Sequence, residues 1–112
     1  MPVEPYDLWV HPLPPSIAAY FTRAQLAAIR VVNEEVMEHG ACELSMDALA
    51  ERAMMVTAPR VVTACKRLGL IRVEKLPGSR GVSRITITNT DWKRWLEMSD
   101  DERGLEAEAA RR

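Results

Sequence analysis

Leu44-Ser-Met-Asp-Ala-Leu-Ala-Glu-Arg-Ala53 and, after Met54-Met-Val-Thr-Ala58, Pro59-Arg-Val-Val-Thr-Ala-Cys-Lys-Arg-Leu-Gly-Leu-Ile71 read as two short helices joined by a tight turn. In the first, Ser45 is placed to cap a helix from Met46 to about Ala53, whose apolar side is Met46, Leu49, Ala50 and Ala53. In the second, Thr57 is placed to cap, and Pro59 falls in the first turn, where its missing N–H costs little. That helix should reach Arg67 or Leu68 and stop at Gly69. Its positions separate into two faces at spacings of three and four. Ala58, Val61, Val62 and Cys65 fall inward, while Thr57, Arg60, Thr63, Ala64 and Arg67 fall on the other side, with Lys66 at the flank.

Upstream, Thr22-Arg-Ala-Gln25 has the spacing of a capping box, and Phe21 and Leu26 stand where a hydrophobic staple forms. The helix that starts there should run to about His39, with Gly40 as a left-handed cap. Leu26, Ile29, Val32 and Val36 form its stripe. Ala24, Ala27, Ala28 and Val31 widen the apolar surface, so the helix needs cover on more than one side. Ala41-Cys-Glu-Leu44 suits a minor strand. Still earlier, Pro2, Pro5, Pro12, Pro14 and Pro15 exclude a helix over residues 1 to 16 and favour an extended arm. Tyr6, Leu8, Trp9, Val10 and Leu13 are too apolar for a free tail, so the arm should pack on its own domain or on a partner subunit.

Downstream, Leu70-Ile-Arg-Val-Glu-Lys-Leu76 and Val82-Ser-Arg-Ile-Thr-Ile-Thr88 alternate in polarity around Pro77-Gly-Ser-Arg-Gly81, a β-hairpin signal. Thr90 or Asp91 should cap a helix bearing Trp92, Trp95 and Leu96, with one tryptophan in the core and the other facing a neighbour. Beyond Ser99 the Glu-, Ala- and Arg-rich tail reads as helical and loosely tethered. The expected class is therefore mainly α with a small β-hairpin, organised as an arm (1–21), a domain (22–90), and a C-terminal helix with a charged tail (91–112).

A chain of 112 residues supports one hydrophobic core, and with 47% hydrophobic but only 5% aromatic residues that core must be mostly aliphatic. The early acids and prolines do not resemble a secretory signal, and no run approaches the roughly 20 apolar residues of a membrane span, so a cytoplasmic location is expected. Cys42 and Cys65 sit in apolar stretches and read as reduced, buried thiols. Net charge is −1, but its distribution is uneven. Residues 1–51 hold two basic side chains against eight acids, residues 52–88 hold eight against Glu74 alone, and residues 89–112 hold five against seven. A local basic block in a nearly neutral chain suggests a polyanion-binding face.

The two central helices quoted above, with the hairpin after them, resemble those of bacterial winged-helix regulators, including MarR-like proteins, over residues 22–90. The resemblance implies a winged helix-turn-helix domain with a three-helix core, a wing and a C-terminal helix. It also implies that the third helix enters the major groove of double-stranded DNA while the wing meets the backbone or minor groove.

The residues themselves support that chemistry. Arginine can fork onto both major-groove acceptors of guanine, and threonine can bond phosphate or offer a methyl to thymine. Arg60 and Thr63 are the base-reading candidates, Thr57 shares their face, and Lys66 and Arg67 suit phosphate. Gly78 and Gly81 bracket Ser79 and Arg80, which puts Arg80 at the tip of a compliant wing. Arg72, Glu74 and Arg84 face opposite to Ile71, Val73, Ile85 and Ile87, and Lys75 shares the parity of the latter set. The DNA-binding set is thus Thr57, Arg60, Thr63, Lys66, Arg67, Arg72, Lys75, Arg80 and Arg84.

Other chemistry finds little footing. His39 and Cys42 are spaced like metal ligands, with His11 and Cys65 as distant partners only. No glycine-rich phosphate loop, paired carboxylate site or nucleophile with a nearby base can be assembled, so neither an enzyme nor a cofactor is expected. Met46, Met54 and Met55 suit core filling. The surplus apolar surface of the arm, the first helix and the C-terminal helix points to a homodimer. A winged helix that docks on a protein, and a replication or partition accessory of a plasmid or phage, are the alternative readings.

Overall fold

The computed structural model describes residues 11–55, 58–78 and 82–110. The expectations for residues 1–10, including Tyr6, Leu8, Trp9 and Val10, and those for Val56, Thr57, Ser79, Arg80 and Gly81, lie outside the described residues. Six helices and one two-stranded antiparallel sheet occupy the described residues, which makes the chain mainly helical and α+β in class. In order they are α1 (Pro15–Ala18), α2 (Arg23–His39), α3 (Met46–Arg52), α4 (Pro59–Arg67), β1 (Ile71–Lys75), β2 (Ser83–Ile87), α5 (Thr90–Glu97) and α6 (Asp100–Ala110).

The helix ends follow local chemistry. The Thr22 hydroxyl accepts from the Gln25 N–H at 3.2 Å while the Gln25 side chain accepts from the Thr22 N–H at 2.8 Å, and Gly40 closes α2 at φ +85°. The Ser45 hydroxyl accepts from the Ala48 N–H and opens α3. α3 and α4 end in the same double hydrogen bond. After α3, Met54 N–H reaches the Glu51 carbonyl and Met55 N–H reaches Ala50; after α4, Gly69 N–H reaches Lys66 and Leu70 N–H reaches Cys65. The cap of α4 differs from expectation. Its N-cap is Ala58, without a side-chain bond, and Pro59 supplies the preset φ of the first turn.

The hairpin pairs Ile71 with Ile87, Val73 with Ile85 and Lys75 with Ser83. Ile71, Ile85 and Ile87 are buried, while Arg72, Glu74 and Arg84 point outward. The minor strand expected at 41–44 is reduced to two single bridges, Cys42 with Ile85 and Ser45 with Val82. At the first, Cys42 N–H donates to Ile85 and Ile85 N–H donates back, at 2.9 and 2.8 Å.

Four expectations are corrected. Both Trp92 and Trp95 are buried, neither facing a neighbour, because each indole N–H finds an internal acceptor: Trp92 donates to the Asn33 side chain and Trp95 to the His11 carbonyl, both at 2.8 Å. Asn33 in turn donates to the Pro12 carbonyl, so residues from 11 onward pack on their own domain. The short helix α1 begins within the stretch from which prolines were to exclude helix, since Pro14 and Pro15 occupy its N-cap and first position, where no N–H is needed. Asn89, not Thr90 or Asp91, caps α5 by accepting from the Trp92 N–H. Finally, the tail is docked. Ser99 and Glu102 form a capping box at its start, Arg103 is buried and donates to the carbonyls of Trp95 and Met98 and to Asp100, and Ala107 is buried. Among the described residues no helix is long and apolar enough to cross a membrane.

Candidate nucleic-acid interface

α4 rests on Ala58, Val61 and Cys65, which are buried, with Val62 packed beside them. That underside fixes which residues look outward. Arg60, Thr63, Lys66 and Arg67 are all exposed, along a helix of nine residues that spans about 13 Å. Among the described residues, none of the three basic side chains of α4 has a carboxylate oxygen within 4.0 Å. The helix therefore presents cationic donors without internal competition.

The hairpin differs. Arg84 Nε lies 2.8 Å from Glu43 Oε2, and this hydrogen bond, reinforced by the charge of Glu43, pushes the guanidinium pKa further up. Glu74 stands opposite Arg84 across the strands and lies 3.7 Å from Arg72. Lys75 is exposed despite its inward parity, because it ends β1. It too has no carboxylate partner among the described residues. Arg52, counted in the basic block by sequence, belongs to the acidic surface of α2: it bonds Glu35 at 2.8 Å and lies 3.6 Å from Glu34, and the Glu35 bond raises its pKa.

Of the nine residues expected to meet DNA, seven are described, and they form two sets. Arg60, Thr63, Lys66 and Arg67 lie together on α4; Arg72, Lys75 and Arg84 lie on the hairpin with Glu43 and Glu74 among them. The role of Glu43 escaped sequence reasoning because its partner is 41 positions away. The Cys42–Ile85 and Ser45–Val82 bridges, in one antiparallel register, bring them side by side.

Cys42 and Cys65 are free and buried. Burial pushes the Cys65 thiol up to about 12 and raises that of Cys42 as well, so neither is a ready thiolate near neutral pH. His39 stands with Glu35 and Glu38, their ligand atoms within 4.8 Å of one another, in a cluster that does not include Cys42. Compared with known proteins, the chain matches no family model, no curated protein and no solved structure.

Proposed function

We propose that this chain is a sequence-specific double-stranded DNA-binding protein of winged helix-turn-helix type, a transcriptional regulator that inserts α4 into the major groove and lays the hairpin on the backbone or minor groove. The observation that carries this reading is the outer face of α4, where Arg60, Thr63, Lys66 and Arg67 are exposed above a buried underside and the basic members lack carboxylate partners among the described residues. A major groove about 12 Å wide admits such a helix. The order α2, α3, tight turn, α4, hairpin supports the same docking. Arg60 then reads a base edge by a bidentate fork and Thr63 a neighbouring one, while Lys66, Arg67, Lys75 and Arg72 hold phosphate. Thr57 and Arg80 keep their assigned contacts in this reading, outside the described residues. No catalytic role and no cofactor are assigned.

A homodimer on a twofold site belongs to the proposal. The arm from residue 11 and both tryptophans of α5 are used within the chain, so among the described residues the large apolar side chains left exposed for a second copy are Tyr20, Met37, Met54, Leu68 and Leu105.

Selection from a random-sequence duplex library tests both parts, with the native protein and Arg60→Ala compared at two salt concentrations. The expected result is an enriched motif that Arg60→Ala blurs at one position, with half-sites about one helical turn apart. A single half-site would remove the dimer. Absence of salt-sensitive binding by either form would overturn the DNA reading in favour of an acidic protein partner for the α4 face.

A further inference from the structure

Arg84 is the second residue of β2, with its side chain exposed on the outer face of the hairpin, where a DNA backbone would pass in the reading above. In the free protein its guanidinium is already occupied. The reciprocal backbone bonds between Cys42 and Ile85 place the next residue on one segment, Glu43, beside the preceding residue on the other, Arg84. Their contact is thus set by the backbone, not by a chance meeting of two long side chains. Both partners stay about half exposed, at 48% and 46%, so a phosphate oxygen can reach the guanidinium and compete with the carboxylate.

Phosphates are the same in every duplex, and charge attraction supplies essentially all sequence-independent binding. A carboxylate held against one cation of the hairpin subtracts from that term. The bases read by Arg60 and Thr63 are unaffected by it. Because every duplex offers the same phosphates, this loss falls equally on matched and unmatched sites, and it changes overall affinity, not the preference between sites.

Resting on the DNA-binding reading above, we propose that Glu43 is an affinity-tempering residue: it competes with DNA phosphate for Arg84, so that the hairpin adds little to sequence-independent attraction and the protein holds every duplex more weakly, and with a shallower salt dependence, than its count of cations implies. Glu43 touches no base in this role. It acts through Arg84, and its removal should tighten binding to every duplex alike.

The test measures affinity for a random-sequence duplex against salt concentration for the native protein, Glu43→Gln, and Glu38→Gln, the last removing an equal charge from the end of α2. Glu43→Gln should bind about 3- to 10-fold more tightly at 0.1 M salt, and its log–log salt slope should steepen by about 0.9, the value for one added phosphate contact. Glu38→Gln should show a smaller gain and no change of slope. A Glu43→Gln gain no larger than that of Glu38→Gln, or an unchanged slope, would overturn the proposal and leave the DNA reading standing. Native protein without salt-sensitive duplex binding would overturn both. Thermal unfolding of each variant, run alongside, separates these outcomes from misfolding.

Discussion

α4 and the β1–β2 hairpin each carry three basic side chains among the described residues, yet they present different fields. Arg60, Lys66 and Arg67 on α4 have no carboxylate partner among the described residues, whereas Arg84 pairs with Glu43 and Arg72 with Glu74. Charge counted along a sequence overstates the cationic surface wherever the fold returns an acid to it. What a polyanion meets is the unpaired remainder. Removing each set of cations in turn separates their contributions. Replacing Arg60, Lys66 and Arg67 together by alanine should lower duplex affinity by about 100- to 1000-fold, since a lost bidentate base contact and two lost phosphate contacts combine. Replacing Arg72, Lys75 and Arg84 should cost about 10-fold or less. Equal losses in a titration at fixed salt would mean that Glu43 and Glu74 yield to DNA completely.

The undersides of the two elements are more alike than their outer faces, for each rests on a buried cysteine: Cys65 beneath α4 and Cys42 bridged to Ile85 of β2. The Cys65 thiol is raised by burial from an ordinary value near 9 to about 12. A folded-state pKa above the unfolded one favours the folded chain below pH 9, and that contribution fades as pH rises from 9 toward 12. Urea unfolding of native protein and Cys65→Ala across this range should therefore show the variant less stable at pH 8 and the gap shrinking with pH. A gap that stays constant would show that the thiol beneath α4 is less desolvated than its burial implies.

How much of this was legible in the sequence depends on the range of the interaction. The capping box at Thr22 and Gln25, the Ser45 cap, the stop at Gly69 and the alternation of the hairpin all follow from residues within a few positions of one another, and all stand as read. α4's outer face followed from its period and from the buried positions Ala58, Val61 and Cys65. The failures are of two kinds. Asn89 was passed over as a cap because three capping residues stand in a row, Asn89, Thr90 and Asp91, and only the backbone decides among them. Asn33 with Trp92, Arg103 with Trp95, and Glu43 with Arg84 are pairs made by tertiary packing. No periodicity encodes them, so the sequence alone points to a loosely tethered tail, a tryptophan facing a neighbour and an Arg84 assigned to DNA with no sign of its carboxylate partner.

The C-terminal ends of α3 and α4 offer a second contrast. α3 and α4 terminate in the same motif, with one residue in the left-handed region: Gly69 at φ +71° leads from α4 into the hairpin, and Met54 at φ +57° leads from α3 toward α4. Glycine adopts this conformation freely, whereas a residue with a Cβ is strained in it. Gly69→Ala should therefore destabilise the protein by about 1 kcal/mol although no atom lies within 4 Å of the added methyl. Met54→Gly should do the reverse by a smaller amount, about 0.5 kcal/mol, because the gain in backbone comfort is partly offset by the greater freedom of glycine in the unfolded chain. Met54 is 92% exposed, so its side chain has little packing to lose. Measuring duplex affinity on the same Met54→Gly sample then asks what holds a methionine in a place that suits glycine. An unchanged affinity with a raised unfolding temperature marks the residue as strain alone; a weakened affinity in a more stable protein adds the turn before α4 to the binding face.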